Sequence, residues 1–508
     1  MTIVLISPYS GIEATGLRIL SACLKEAGFR TRMIFLPNIG EAMAAVHFDQ
    51  RHIPVEVAAQ VVELCADADL VGITVMTPSF HLARTLTEDI HARLDVPVIW
   101  GGVHPTICPE ESLTVADMVC VGEGEALVVE LAQRIAQGRD FHDLQNLAFL
   151  DTERQMVVNR LRPLVMELDL LPFPDYDYSE HYVLHEGTLR RCTEALVHYY
   201  LTDLGSWASG PVYGVTTTRG CPYRCTYCAN NAFAEIYADW NRIRRRSPAN
   251  VIAEIKAIRA RLPAIMAIIL RDDTFLANPR AYIEEFCQQY KQEVGLPFRA
   301  YTTAQTVDKK RLSALVDAGL SYIIMGIQSG SPRTQNAYRR TVTNDQLLRA
   351  AETLHDFERW APRPTYDVIT DNPYEDELDR YQTLKLIHQL PMPYRLSIFS
   401  LTFYPGTELA EQARQDGKIV DETSAYRSNF QMIEPNYYNL ALFCHSLNLP
   451  RPLLIVMTHP AIFRTLRKQP FDRLSGRVLS LLFALRLRKN QRTYGKRRAL
   501  WLSGQQHG

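Results

Sequence analysis

The sequence predicts an α/β chain in which a doubly wound, Rossmann-like parallel sheet is followed by a second βα series and then by a mostly helical region. Three observations carry this prediction. Apolar runs alternate with helical patterns over the first 140 residues, the alternation resumes near Val212, and no such pattern remains beyond about Asp421. The chain of 508 residues, 47% of them hydrophobic, allows three or four units at about 100 to 200 residues per domain. The expected boundaries are 1–140 for the first domain, 141–210 for a linker, 211–415 for the second domain and 416–508 for a helical, basic C-terminal region.

In the first domain, strands are expected at Ile3 to Ile6, Arg32 to Phe35, Leu70 to Val75, Val96 to Trp100 and Met118 to Val121, with helices at Gly16 to Ala27 and Ser79 to Leu94. Ligands of such sheets sit outside the carboxyl ends of the strands. The candidates there are Ser10 and Glu13 after the first strand, and Thr74, Thr77 and Ser79 after the third. Gly101, Gly102, His104 and Thr106 follow the fourth, and Gly122, Glu123, Gly124 and Glu125 the fifth. Glycine lets a backbone approach a flat, bulky ligand closely.

The linker is punctuated by Leu171-Pro172-Phe173-Pro174-Asp175, and two prolines in three residues predict a stiff, extended crossing. Beyond it, strands are expected at Gly214 to Thr218, Ala267 to Leu270, near Phe298 to Thr302, at Tyr322 to Ile327 and around Tyr366 to Ile369, with a sixth leading into Tyr404-Pro405-Gly406-Thr407. The first of these feeds the most informative segment of the chain.

That segment is Thr218-Arg219-Gly220-Cys221-Pro222-Tyr223-Arg224-Cys225-Thr226-Tyr227-Cys228. Three thiolates from one tight loop can converge on one soft metal centre, and soft thiolates select iron-sulfur clusters, zinc or copper(I). Structural zinc and ordinary clusters take four protein ligands. Three leave a coordination position open to a small molecule. A Cys3His zinc site and three unrelated buried thiols are the competing readings.

The C-x3-C-x2-C spacing with Tyr227 before the last cysteine resembles the cluster motif of the radical S-adenosylmethionine (SAM) superfamily. The Gly-Gly-x-His-Pro-Thr and Gly-Glu-Gly-Glu loops of the first domain resemble the cobalamin-binding domain found ahead of many of those enzymes. The resemblance implies a partial (β/α)6 barrel and a 4Fe-4S cluster on Cys221, Cys225 and Cys228, with SAM on the open iron. It implies SAM contacts from Tyr227, Asp272, Asp273, Thr274, Arg299, Gln328, Ser329, Ile369, Tyr404 and Pro405, and cobalamin contacts from the loop residues named above. Relatives more often have Glu where Gln328 stands. Cobalamin domains that coordinate cobalt through histidine carry Asp-x-His-x-x-Gly after the first strand, which this chain lacks. Cobalamin without a histidine lower ligand is therefore expected.

By the same resemblance the activity is a radical methylation, in which a 5'-deoxyadenosyl radical activates a substrate carbon and methylcobalamin delivers the methyl group. A cyclase, a rearranging or oxidising enzyme without methyl transfer, and a cobalamin or metal sensor are the alternatives. An electron donor such as flavodoxin or ferredoxin is implied.

Composition narrows the setting. Ten cysteines, three of them in one motif and the rest scattered, do not form a secreted disulfide framework, so a cytoplasmic location is expected. No run of 18 apolar residues appears, so no membrane span is expected. From Arg451 onward 13 Lys and Arg face one acid, Asp472, giving +12, whereas the preceding 450 residues carry 42 basic and 55 acidic groups, giving −13. Basic residues beside apolar helical patches make the tail a candidate for peripheral contact with the inner membrane face, which would suit a hydrophobic or lipid-like small-molecule substrate. No element typical of nucleic-acid binding is evident. Arg242 to Arg246 read as a structural entry to the next helix.

Overall fold

The computed structural model describes residues 1–9, 11–37, 53–202, 207–208, 210–357, 363–419, 426 and 433–504, with side chains described through 486 and at 488. Ser10 lies outside the described residues. The first sheet is built from β1 (Thr2–Ser7), β2 (Arg30–Phe35), β3 (Leu70–Thr74), β4 (Val98–Gly101), β5 (Met118–Cys120), β6 (Leu147–Leu150), β7 (Met156–Val158), β8 (His181–His185) and β9 (Thr188–Arg191). Their spatial order is β7-β6-β5-β4-β3-β1-β2-β8-β9. The run Thr2-Ile3-Val4-Leu5-Ile6-Ser7 is buried throughout because β1 is central, with helices on both faces of the sheet. Strand order reverses between β1 and β3, which pair in parallel from Ile3 and Leu70 onward. That switch point opens a crevice at the carboxyl ends.

The stretch expected to be a linker contributes four strands to this sheet. β6 pairs antiparallel with β5 and β7 antiparallel with β6, while at the other edge β8 pairs parallel with β2 and β9 antiparallel with β8. Their shortness hid them, since runs of three to five residues give little alternation to read. The proline crossing is held by Arg18, which is 1% exposed. Its guanidinium stacks 3.9 Å from the Tyr176 ring and donates to the carbonyls of Ile12 at 2.7 Å and Asp175 at 2.6 Å. One buried cation thus fixes both the crossing and the loop after β1.

The second domain contains β10 (Val212–Val215), a small hairpin of β11 (Thr218–Arg219) and β12 (Arg244–Arg245), then β13 (Ala267–Leu270), β14 (Phe298–Thr303), β15 (Leu320–Gln328), β16 (Thr365–Thr370) and β17 (Arg395–Ser400). β10, β13, β14, β15, β16 and β17 form a six-stranded parallel sheet in that order. This is the expected partial barrel. Ser247 caps the following helix, Pro248–Arg261, by accepting from Asn250 N–H, so the preceding arginines do mark a helix entry.

One hydrophobic core runs from Ile3 and Leu24 through Tyr176 to Tyr213, Val251 and the barrel, and a second covers the other face of the first sheet around Trp100 and Leu86. The C-terminal region is helical: Tyr437–Ser446, Arg451–Thr458, Pro460–Leu466 and Phe471–Gly504. Asn439 donates to Asp371 at 2.7 Å and accepts from Thr370 at 2.6 Å, which anchors the helix Tyr437–Ser446 at the carboxyl end of β16.

Candidate active site

The loop bearing the cysteines begins where β10 and β13 end together. Asp272 accepts from the Thr217 N–H at 2.9 Å and from the Thr217 and Thr218 hydroxyls at 3.0 and 2.8 Å. It is 2% exposed, and burial pushes its carboxyl up to about 6 against those hydrogen bonds. Asp272, one of the residues expected at the SAM site, pins the entry to the cysteine loop. Gly220 then turns with φ 87°, and a Cβ there would lie 2.6 Å from the Trp240 carbonyl oxygen. Only glycine fits.

Thr226 anchors the far side of the loop. Its hydroxyl donates to the Ala337 carbonyl at 2.9 Å, and its own carbonyl accepts from Leu409 N–H at 3.0 Å. Cys228 is the residue at which the helix Ala229–Ile236 begins, where the helix dipole favours negative charge. Burial first, then Asp273 and the other two thiols, pushes Cys221 up to about 12, and burial pushes Cys228 up to about 11. Such thiols stay protonated until a cation displaces the protons. Three soft sulfurs on one eight-residue loop, the last at a helix N-terminus, with Arg340 donating to the Tyr227 hydroxyl at 3.4 Å beside them, are the donor set that a metal cluster needs.

Asp273 is linked through Asn230 to the cysteine loop. Asn230 donates to its carboxylate at 2.8 Å and lies 3.7 Å from the Cys228 sulfur. Burial raises the Asp273 carboxyl, opposed by Asn230. The neighbouring Thr274 hydroxyl is buried without a hydrogen-bond partner among the described residues, an orphan that a ligand oxygen or nitrogen would satisfy.

The barrel's alternating residues face its interior. Arg299, Tyr301 and Thr303 on β14, Gln328 on β15, Asp367 on β16 and Ser397 on β17 are half-buried. Arg299 donates to the Tyr301 hydroxyl at 3.3 Å, and Tyr223 of the cysteine loop bonds Thr303 at 3.1 Å. Gln328 has φ 69° and sits where the β15–β16 register shifts. Ser329 faces elsewhere. It is fully buried and bonds Glu375 at 3.1 Å and Thr383 at 3.0 Å in a core network. Tyr227, Ile369, Phe403 and Leu409 form an apolar cluster around Tyr338. Tyr404 caps the turn that follows, its carbonyl accepting from the Thr407 hydroxyl at 2.8 Å. Pro405 lies in the same turn, and Gly406 is so close to Ile107 of the first domain that a side chain would collide.

The two sheet ends meet, and several candidates for cobalamin contact make ion pairs between the domains. Glu13 pairs with Arg271. Glu123 accepts from Arg219 at 3.0 Å and Arg244 at 2.7 Å, and Glu125 from Arg219 at 2.6 Å. Burial opposes the Glu123 charge, but the two guanidiniums hold its carboxyl below the usual range. Gly122, with φ 93°, lies directly against the Tyr237 hydroxyl. The polar ends of β3 and β4 are likewise engaged. Thr74 bonds Tyr9 at 2.9 Å, Ser79 donates to the Met76 carbonyl at 2.9 Å, and the Thr106 hydroxyl donates to the Gly102 carbonyl at 2.8 Å.

His104 is turned into the protein. It is 1% exposed, with Nδ1 3.2 Å from the Thr77 hydroxyl and Nε2 3.4 Å from the Glu111 carboxylate, and Tyr426 donates to that carboxylate at 2.8 Å. Beside it Gly101 and Gly102 leave a platform without side chains, Gly102 exposed at φ 105° and Gly124 further along the same edge. A Cβ at Gly102 would lie 2.9 Å from the Val75 carbonyl oxygen, so only glycine allows this exposed backbone, which would leave room for a flat macrocycle, while both ring nitrogens of His104 face Thr77 and Glu111. Asn230, Tyr237 and Arg340 are not singled out by the sequence patterns, and Arg219, Arg244, Arg271 and Asp367 lie in segments that the sequence marks without giving them a site role. Arg219 stands next to Gly220-Cys221, and Arg244 reads as part of a helix entry.

Comparison with known proteins agrees with this arrangement. A family model described as a B12 binding domain matches residues 1–132, and one described as the radical SAM superfamily matches 215–387. An uncharacterized methyltransferase, PH0819, of Pyrococcus horikoshii is 28% identical over 356 residues, covering 68% of this chain and 70% of the relative. The anaerobic magnesium-protoporphyrin IX monomethyl ester cyclase of Rubrivivax gelatinosus is 25% identical over 57% of this chain, which spans only 49% of that protein. In three dimensions the chain is similar to the radical SAM methyltransferase TsrM from Kitasatospora setae, with a TM-score of 0.61 at 17% identity, over 82% of this chain and 77% of that one.

Proposed function

Starting from a chain that belongs to the radical SAM enzymes with an N-terminal cobalamin-binding domain, we propose that it is a C-methyltransferase acting on a small molecule held between the two sheet ends. The observation that carries this reading is the direct apposition of those ends, with Gly122 against Tyr237 and Gly406 against Ile107. When bound, the cluster and SAM supply the radical that activates the substrate, and the corrin carries the methyl group.

The protein's own part is placement. Cys221, Cys225 and Cys228 would hold the cluster, and Asp273, held by Asn230 at 2.8 Å, would offer a carboxylate to the ammonium of SAM's methionine part. Asp272 and Thr226 fix the loop, and Arg219 ties it to Glu123 and Glu125 of the first domain. The interior row of Arg299, Tyr301, Gln328 and Asp367 offers both donors and acceptors to a polar substrate group. An external one-electron donor, flavodoxin or ferredoxin in type, completes the requirement. Among the described residues no helix is long and apolar enough to cross a membrane.

The test is anaerobic turnover with SAM labelled on its methyl carbon. Methyl transfer produces labelled product with S-adenosylhomocysteine and 5'-deoxyadenosine together. Deoxyadenosine with no S-adenosylhomocysteine and no label in product would replace this reading with a cyclase or oxidative chemistry.

A further inference from the structure

The terminal helix Phe471–Gly504 carries an apolar stripe that nothing in the described structure covers. Phe471, Leu474, Val478, Leu481 and Leu485 are spaced by three and four residues, the repeat of one helix face, and are 47, 60, 41, 61 and 51% exposed. The helix docks through a different face, where Ser475 and Leu479 are buried and Leu482 and Phe483 pack toward Leu440 and Phe443. Exposed Leu453, Ile455, Val456 and Ile462 on the two preceding helices add to the apolar surface of this region. Among the described residues, ten of the 18 exposed large hydrophobics lie from Leu447 onward, so exposed apolar surface is concentrated in the C-terminal region.

The same helix supplies positive charge. Arg473, Arg477 and Arg488 are exposed, and positions 488, 492 and 496 continue the three-and-four spacing past Leu485 as Arg488, Arg492 and Lys496. With +12 beyond Arg451 against a single acid, Asp472, the region would repel a second copy of itself.

We propose that this face is a docking surface for an anionic lipid bilayer, with the stripe from Phe471 to Leu485 lying in the interface and the following basic turns among the headgroups. Apolar insertion and attraction to anionic headgroups reinforce one another on a helix of this kind. The charge complementarity selects a membrane over a second copy of the chain. The placement also relates to the barrel. Tyr437 N–H donates to Asp472 at 2.9 Å, so the stripe starts beside the helix that is anchored at the carboxyl end of β16, and a membrane-resident substrate would meet the protein near the barrel mouth. The proposal does not depend on methyl transfer.

The experiment is flotation of the full chain with vesicles of phosphatidylcholine alone and of phosphatidylcholine mixed with phosphatidylglycerol. The chain is expected to float with the mixed vesicles only, and raising salt from about 0.1 to about 0.5 M should weaken binding about tenfold or more through screening. Leu474→Glu with Leu481→Glu, both at exposed positions, should abolish flotation while leaving the far-UV circular dichroism unchanged. Failure of the natural chain to float would overturn the proposal. So would flotation of the double variant at the natural level, or a dimer that the double variant dissociates while no vesicle binds. Binding to duplex DNA without binding to vesicles would reassign the surface to nucleic acid.

Discussion

Arg219 Nη2 donates to Glu125 Oε1 at 2.6 Å, across the boundary between the two domains and two residues before the first cysteine. Its other terminal nitrogen reaches Glu123 at 3.0 Å, so one planar fork spans both carboxylates of Gly122-Glu123-Gly124-Glu125. Little of the group meets solvent, the side chains being 20, 14 and 10% exposed for Arg219, Glu123 and Glu125. Removing one member of a buried pair leaves the other uncompensated, at about 3 kcal/mol or more.

Arg219→Met is therefore expected to destabilise the chain by about that amount and to lower the iron retained after reconstitution, because the cysteine loop loses its tie to the first domain. Adding Glu125→Gln should restore part of the stability, and a double-mutant cycle of melting temperatures reads the coupling. Arg219→Lys keeps the charge but not the fork, and should fall between.

Each of Cys221→Ala, Cys225→Ala and Cys228→Ala is expected to abolish the broad visible absorbance of the reconstituted cluster and all SAM cleavage. The fold should persist, since the loop is held independently by Asp272 and Thr226. Iron analysis alongside circular dichroism separates the two effects.

The cysteine loop was legible in the sequence because its chemistry lies within eight consecutive residues. The parallel strands were legible for a related reason: β13 was expected and found at Ala267–Leu270, where a central strand reads as an uninterrupted apolar run. The roles of Glu123 and Glu125 were not, because their partner Arg219 lies 96 and 94 positions away and no local pattern records such a pairing. Asp272 and Asp273 look equivalent as a sequence, yet one faces the backbone of Thr217 and Thr218 and the other faces Asn230. Adjacent residues leaving a strand point to opposite sides, and only the fold says which side holds the site.

His104 is enclosed by Thr77 and Glu111, so His104→Gln should leave the absorption and cobalt(II) EPR spectra of bound cobalamin unchanged. The natural chain should show no nitrogen splitting from a histidine. Splitting that disappears in the variant would place His104 on the cobalt.

Asp367 gives a pH signature. Burial pushes its carboxyl up to about 7, against a hydrogen bond from Ser397 and the nearby Arg340. The native state then binds more protons than the unfolded state between about pH 4 and pH 7, so this group's contribution to stability falls as pH rises through that window. Asp367→Asn cannot titrate. Relative to the variant, the natural chain should lose about 1 kcal/mol or more on going from pH 5 to pH 8, read from chemical denaturation at both values.

The most direct test of the central claim, a three-cysteine cluster with one iron open to SAM, is EPR of the anaerobically reconstituted and reduced protein with and without SAM. The account predicts a 4Fe-4S signal whose g-values shift when SAM is added, because the ligand binds the iron itself. A zinc-only protein, or an iron-sulfur signal that SAM leaves unaltered, would contradict it.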